Sequence, residues 1–122
     1  MSNHETSEGN DLLAYERILE FLGGDLTLLE TLGKIYQEDY RSLIDEMEAA
    51  LKSSNASALR TATHQLRGLV ANFHDAQLAE KLGALEKLAS LGDVAKTPNL
   101  LPAIKQRCVW LSNALNQILG KT

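Results

Sequence analysis

Few residues in this chain of 122 can staple, break or bulk out a fold: one cysteine, two prolines, one tryptophan, three tyrosines and two phenylalanines. A lone Cys108 cannot close an internal disulfide, which excludes a disulfide scaffold and fits a reducing cytoplasm. No apolar run approaches the ~20 residues that span a bilayer. The polar first ten residues also lack the basic and apolar regions of a secretion signal. Positive charge is not in excess either. A net charge of −4 leaves no electrostatic footprint for nucleic acid or an anionic membrane. Strand-like alternation, internal repeats and a second domain are likewise missing.

What remains is 44% apolar, carried by leucine and alanine, a composition that leans towards helix. At this length one domain can bury roughly two thirds of its unfolded surface. Residues 1–10 are small, polar and without period, and are expected to form a disordered tail. A single bundle is expected over 11–120. Asp11 can cap a short first helix through Leu22, with Leu12, Tyr15, Leu19 and Leu22 on one side. Gly23-Gly24 ends it, and Asp25 caps a long helix over about 26–52. There Leu28, Leu32, Ile35, Tyr36, Leu43, Ile44, Met47 and Leu51 recur at three- and four-residue steps, opposite an acidic face.

The turn at 53–55 leads to a helix over about 56–73, and Asp75 caps the next, over about 76–91, with Leu78, Leu82, Leu85 and Ala89 inward. Thr97-Pro98 reads as the opening of the last helix, with proline at its first position, although Pro102 argues for a regular start nearer 101. Leu101, Ile104, Cys108, Leu111, Leu115 and Ile118 form its seam. Short connections make successive helices antiparallel neighbours. The expected fold is all-α: an up-down-up-down antiparallel four-helix bundle with a short extra N-terminal helix.

One polar residue stands out on this frame. At about 100° per residue, Leu59, Ala62, Leu66, Leu69, Val70 and Phe73 share one face of the third helix, and His64 projects roughly 180° away from them. Gly68 lies one turn further along the same exposed stripe, followed by Ala71. A glycine inside an exposed helix costs about 1 kcal/mol relative to alanine, a cost that clearance for an incoming partner would explain. Arg60 and Arg67 flank the stripe and can attract phosphoryl oxygens or an acidic rim. Neutral imidazole carries a free lone pair and can act as a nucleophile. Phosphoryl chemistry on His64 is the reading these residues favour.

The stretch His64-Gln65-Leu66-Arg67-Gly68 resembles the signature of the histidine-containing phosphotransfer (HPt) domain of phosphorelays. Gly23-Gly24-Asp25 before a long helix, the Ala49-Ala50-Leu51 run and the Leu85-Glu86 pair extend the likeness over about residues 11–91. The chain departs from that pattern at Thr63, where alanine is common, and at Arg67, where lysine is usual. Leu69 and Val70 stand in place of small residues, and His74-Asp75 in place of a glycine-alanine pair.

The resemblance implies a phosphocarrier without kinase activity of its own. His64 would accept a phosphoryl group from a receiver-domain aspartate and pass it to another. Arg67, Gly68, Arg60 and Ala71 would contact the phosphoryl group or the receiver. No cofactor is implied for this chain, because magnesium is expected on the partner receiver domain. A hybrid sensor histidine kinase is a further expected partner. The expected state is a cytoplasmic monomer without nucleic-acid or membrane partners, and the polar start at Met1 favours a free-standing protein. No Walker or kinase glycine-rich loop is present, so self-phosphorylation from ATP is not expected.

Other readings weigh less. A metal-binding bundle would need inward carboxylates and a Glu-x-x-His step, but threonine and alanine stand three before His64 and His74. His4 and His74 read as incidental, and Cys108 as a buried, inert thiol. The competing function is a non-catalytic bundle that docks on a signalling partner and transfers nothing.

Overall fold

A computed structural model describes residues 16–18, 20 and 23–119, with the side chain of Ile118 outside it. Four helices make the bundle: α1 (Leu26–Lys52), α2 (Ala56–Val70), α3 (Ala76–Ser90) and α4 (Leu100–Ile118). Residues 16–18 and 20 are also helical, belonging to a short helix ahead of the bundle. Each helix packs antiparallel on its neighbour in sequence, and α4 closes the ring against α1. The expected all-α bundle is what the chain forms. The proposed tail at 1–10 lies outside the described residues, as do Leu12, Tyr15, Leu19 and Leu22. Ile18, which was not singled out, is buried.

Three helices begin on a side chain that accepts from the backbone two or three residues inside the first turn. Asp25 Oδ1 takes the Leu28 amide at 3.0 Å, Asn55 Oδ1 that of Ala58 at 3.0 Å, and Asp75 Oδ1 that of Leu78 at 3.1 Å. At the fourth start Thr97 does not cap the helix, whereas the regular start near 101 that Pro102 argued for is met within one residue. Thr97 Oγ1 donates to the Val94 carbonyl at 2.7 Å, closing a 3-10 turn over Val94–Lys96. The threonine is thereby spent on that turn, and the helix starts at Leu100 after Asn99, which makes no side-chain cap bond. Pro102 then sits in the first turn, where its missing N–H leaves no intrahelical bond unmade.

The long helix α1 faces the core with Leu29, Gly33, Tyr36, Tyr40, Leu43, Ile44, Met47 and Ala50. Leu28 and Ile35, expected inside, are exposed. The stripe that wins is one residue round from the one they belong to, because it carries both large tyrosines and the small Gly33. A Cβ on Gly33 would meet the Leu119 side chain at 3.2 Å, so glycine lets the end of α4 close on α1. Tyr36 stacks on Tyr40 with ring centroids 4.8 Å apart and meets Phe73 edge-on at 5.5 Å. Its hydroxyl donates to the Cys108 carbonyl at 2.8 Å. Burial pushes the Cys108 thiol up to about 11, so it stays protonated at neutral pH, as a core residue should.

Histidine helix α2 is shorter than its apolar pattern. It ends at Val70 and continues as a 3-10 turn over Ala71–Phe73. His74 follows with φ of 52°, a left-handed conformation that histidine tolerates better than bulkier residues. This tight reversal turns the chain into α3 and places α3 alongside the exposed face of α2.

Candidate functional site

On α2, Leu59, Ala62, Leu66 and Val70 are buried, and so is Phe73 in the turn beyond; Leu69 is half-buried. Thr63 is fully buried too, and its hydroxyl donates to the Leu59 carbonyl at 2.6 Å. The threonine hydroxyl is therefore absorbed by the helix itself. With that side anchored, His64 is turned outward, its side chain 72% exposed. Gly68 is open, since a Cβ built there meets nothing within 4 Å. Ala71 is exposed but belongs to the 3-10 turn, so the low strip from His64 bends at its far end.

The imidazole is not alone. Its Nδ1 donates to Glu86 Oε2 on α3 at 3.0 Å, and Arg67 Nη1 donates to Glu86 Oε1 at 2.8 Å. One carboxylate thus grips both the ring and the guanidinium. Arg67, above all, and then the His64 ring hold Glu86 below the ordinary carboxylate range, against a partial burial that pushes it up. An ionised carboxylate has no proton to give, so in the neutral ring the shared hydrogen belongs to Nδ1. The free lone pair is then on Nε2, the nitrogen left without a partner in this network.

Sequence reasoning brought His64, Arg67, Gly68 and Arg60 to this surface, but not Glu86. A usable signal existed: His64 and Glu86 lie eleven residues before and after Asp75, the turn residue between two antiparallel helices. Arg60 lines the hollow containing His64 and Glu86 and makes no ion pair among the described residues. No group of three or more His, Cys, Asp or Glu placed to hold a metal occurs among the described residues. No helix among them is long and apolar enough to cross a membrane.

Fold and site together define a class: a helical bundle that presents one imidazole, Nε2 outward, on the solvent face of a central helix. The family model described as the Hpt domain matches residues 32–119, well over half of the chain. The protein belongs to the Hpt domain family, whose role is phosphotransfer within phosphorelays and whose members interact with receiver domains. Neither the curated proteins nor the solved structures contain a match.

Proposed function

We propose that His64 is the phosphorylated residue of this Hpt domain and carries a phosphoryl group between the aspartates of two receiver domains. The observation that carries this reading is the exposed ring held through Nδ1 by Glu86, which leaves Nε2 as the nucleophile. In the forward step Nε2 attacks phosphorus as the bond from phosphorus to the aspartyl oxygen of the receiver breaks. The carboxylate of that aspartate leaves with the bonding pair. Nδ1 keeps its proton throughout, so no proton needs to move. The ring gains positive charge as the N–P bond forms, and the adjacent Glu86 carboxylate stabilises that charge where it develops.

Arg67 sits one turn from His64 and can swing a guanidinium N–H towards the phosphoryl oxygens while Glu86 keeps it on the same side of the helix. Arg60 extends the positive field on that flank. Gly68 and Ala71 keep the approach low. As for a phosphocarrier of this family, phosphate would reach the chain from partners, and receiver-bound magnesium would neutralise charge on the transferred group.

Incubation with a phosphorylated receiver tests this directly. Phosphate should appear on the chain, stable in base and lost in acid, and peptide mapping should place it on His64. Label on another residue, or none across a panel of receivers, would sink the reading. Gly68 offers a second check. Since its Cβ position is open, Gly68→Ala should raise stability by about 0.5–1 kcal/mol in a denaturant melt. Gly68→Gln should keep the fold yet slow transfer from a receiver, and unchanged kinetics would remove clearance from the argument.

A further inference from the structure

On the far side of the histidine strip from Arg67 lies a groove between α1 and α2. Asp39, Leu43 and Glu46 form its α1 wall, and Gln65, Gly68 and Leu69 its α2 wall. Gln65 also borders the hollow that holds His64, so groove and imidazole are one continuous surface. No basic residue lines the groove, whereas Arg60 lines the hollow on the other flank. Glu86 in that hollow is paired with Arg67, so the Arg60 charge is left over on that flank while the groove wall carries only acidic charge.

Asp39 and Glu46 are exposed, stand two helical turns apart, and make no ion pair among the described residues. Their neighbour in sequence Glu48 is bridged to Lys105 at 3.2 Å, and Glu86 is held by Arg67. The two groove carboxylates are thus the unneutralised ones beside the strip. A polarised surface of this kind sets encounter rate and docking direction more than affinity.

Given that His64 is the phosphate carrier, we propose that the α1–α2 groove is a specificity surface for receivers. Asp39 and Glu46 seat a basic segment next to the receiver's phosphorylated aspartate and fix the direction in which that receiver docks. The acidic aspartate pocket then falls over the Arg60–Arg67 flank. A receiver turned end for end, or one with an acidic segment at that place, meets like charge on both sides.

The test uses the full chain and two phosphate donors. One is phosphoramidate, a small donor that needs no docking surface. The other is the phosphorylated receiver that labels the wild-type chain fastest out of a panel. Asp39→Lys with Glu46→Lys should slow receiver transfer roughly tenfold or more at low ionic strength, with the gap narrowing in about 0.5 M salt. Labelling by phosphoramidate should stay within about twofold of wild type, since docking charge is not involved. The milder pair Asp39→Asn and Glu46→Gln, with little risk to the fold, should slow it in the same direction.

Asp45→Lys changes net charge by as much as the Asp39→Asn and Glu46→Gln pair but lies on the α1–α4 side, so it controls for net charge and should leave receiver transfer unchanged. Transfer unaffected by the groove variants, or equally affected by Asp45→Lys, overturns the proposal while leaving His64 as carrier. Failure of phosphoramidate to label the wild-type chain sinks both.

Discussion

His64→Gln should abolish phosphate uptake from receiver and small donor alike, whereas Glu86→Gln should leave it measurable but slow it roughly ten- to a hundredfold. The contrast separates the nucleophile from the group that holds it. Glutamine at 64 has no lone pair of comparable nucleophilicity, so nothing remains to form the N–P bond. Glutamine at 86 keeps the size of the side chain but changes three things at once. Its amide can turn either oxygen or nitrogen towards Nδ1, so the ring is no longer held with its proton there. A neutral amide also cannot stabilise the charge that builds on the ring. Finally, the bond to Arg67 loses its ionic component. Glu86→Ala should be slower than Glu86→Gln, because the ring then rotates freely.

Wild-type transfer rates in Glu86→Gln, measured by single-turnover labelling, would refute the positioning role. A pH signature accompanies it. The folded-state pKa of Glu86 is lowered, so its network stabilises the fold above the ordinary carboxylate range. That contribution is lost as pH falls through the lowered folded value. Acid titration of stability should therefore be flatter at its low end in Glu86→Gln than in wild type.

The second large effect is structural. Asp75→Ala should cost about 3 kcal/mol of unfolding free energy and lower the Tm by roughly 10 °C. The Asp75 side chain is only 4% exposed and is used twice. Oδ1 caps α3 through the Leu78 amide, and Oδ2 accepts from Arg107 Nε at 2.7 Å. Arg107 in turn lies over the Trp110 ring, 3.7 Å from its centroid. Alanine removes the cap and strands a half-buried guanidinium, which is the expensive half of the change. Asp75→Asn separates the two, since asparagine caps nearly as well but cannot balance the charge, and it should lose about 1–2 kcal/mol. Calorimetry on both variants checks this, and equal melting temperatures for Asp75→Ala and wild type would show the α3–α4 junction to be held elsewhere.

Much of this architecture could be read along the chain because its causes are local. Asp25 and Asp75 are caps in the structure as in the reading, and α1 spans the residues its periodicity marks out. His64 faces outward because Leu59, Ala62, Leu66 and Val70 must face inward on the same rod. The misreadings fall where a residue had two local options. Thr97 could cap a helix or close a turn, and α1 could bury Leu28 and Ile35 or Leu29 and Tyr40. Such ties are broken by what lies opposite, here Leu119, Cys108 and Phe73. His74 is a further case: a left-handed φ at the reversal is a demand of the turn into α3, met here by histidine where glycine is usual in the family.

Helix content, the inward and outward faces, and the outward placement of His64 followed from the order of residues, since period and capping act within one or two turns. Packing alone decided that a carboxylate twenty-two positions away grips the ring, holds the Nδ1 proton and ties Arg67 beside it. It also set an acidic wall of α1 against one side of the imidazole and arginines on the other. The reason is range: a hydrogen bond or a field across two helices depends on their register and tilt, which arise only when whole faces are buried together.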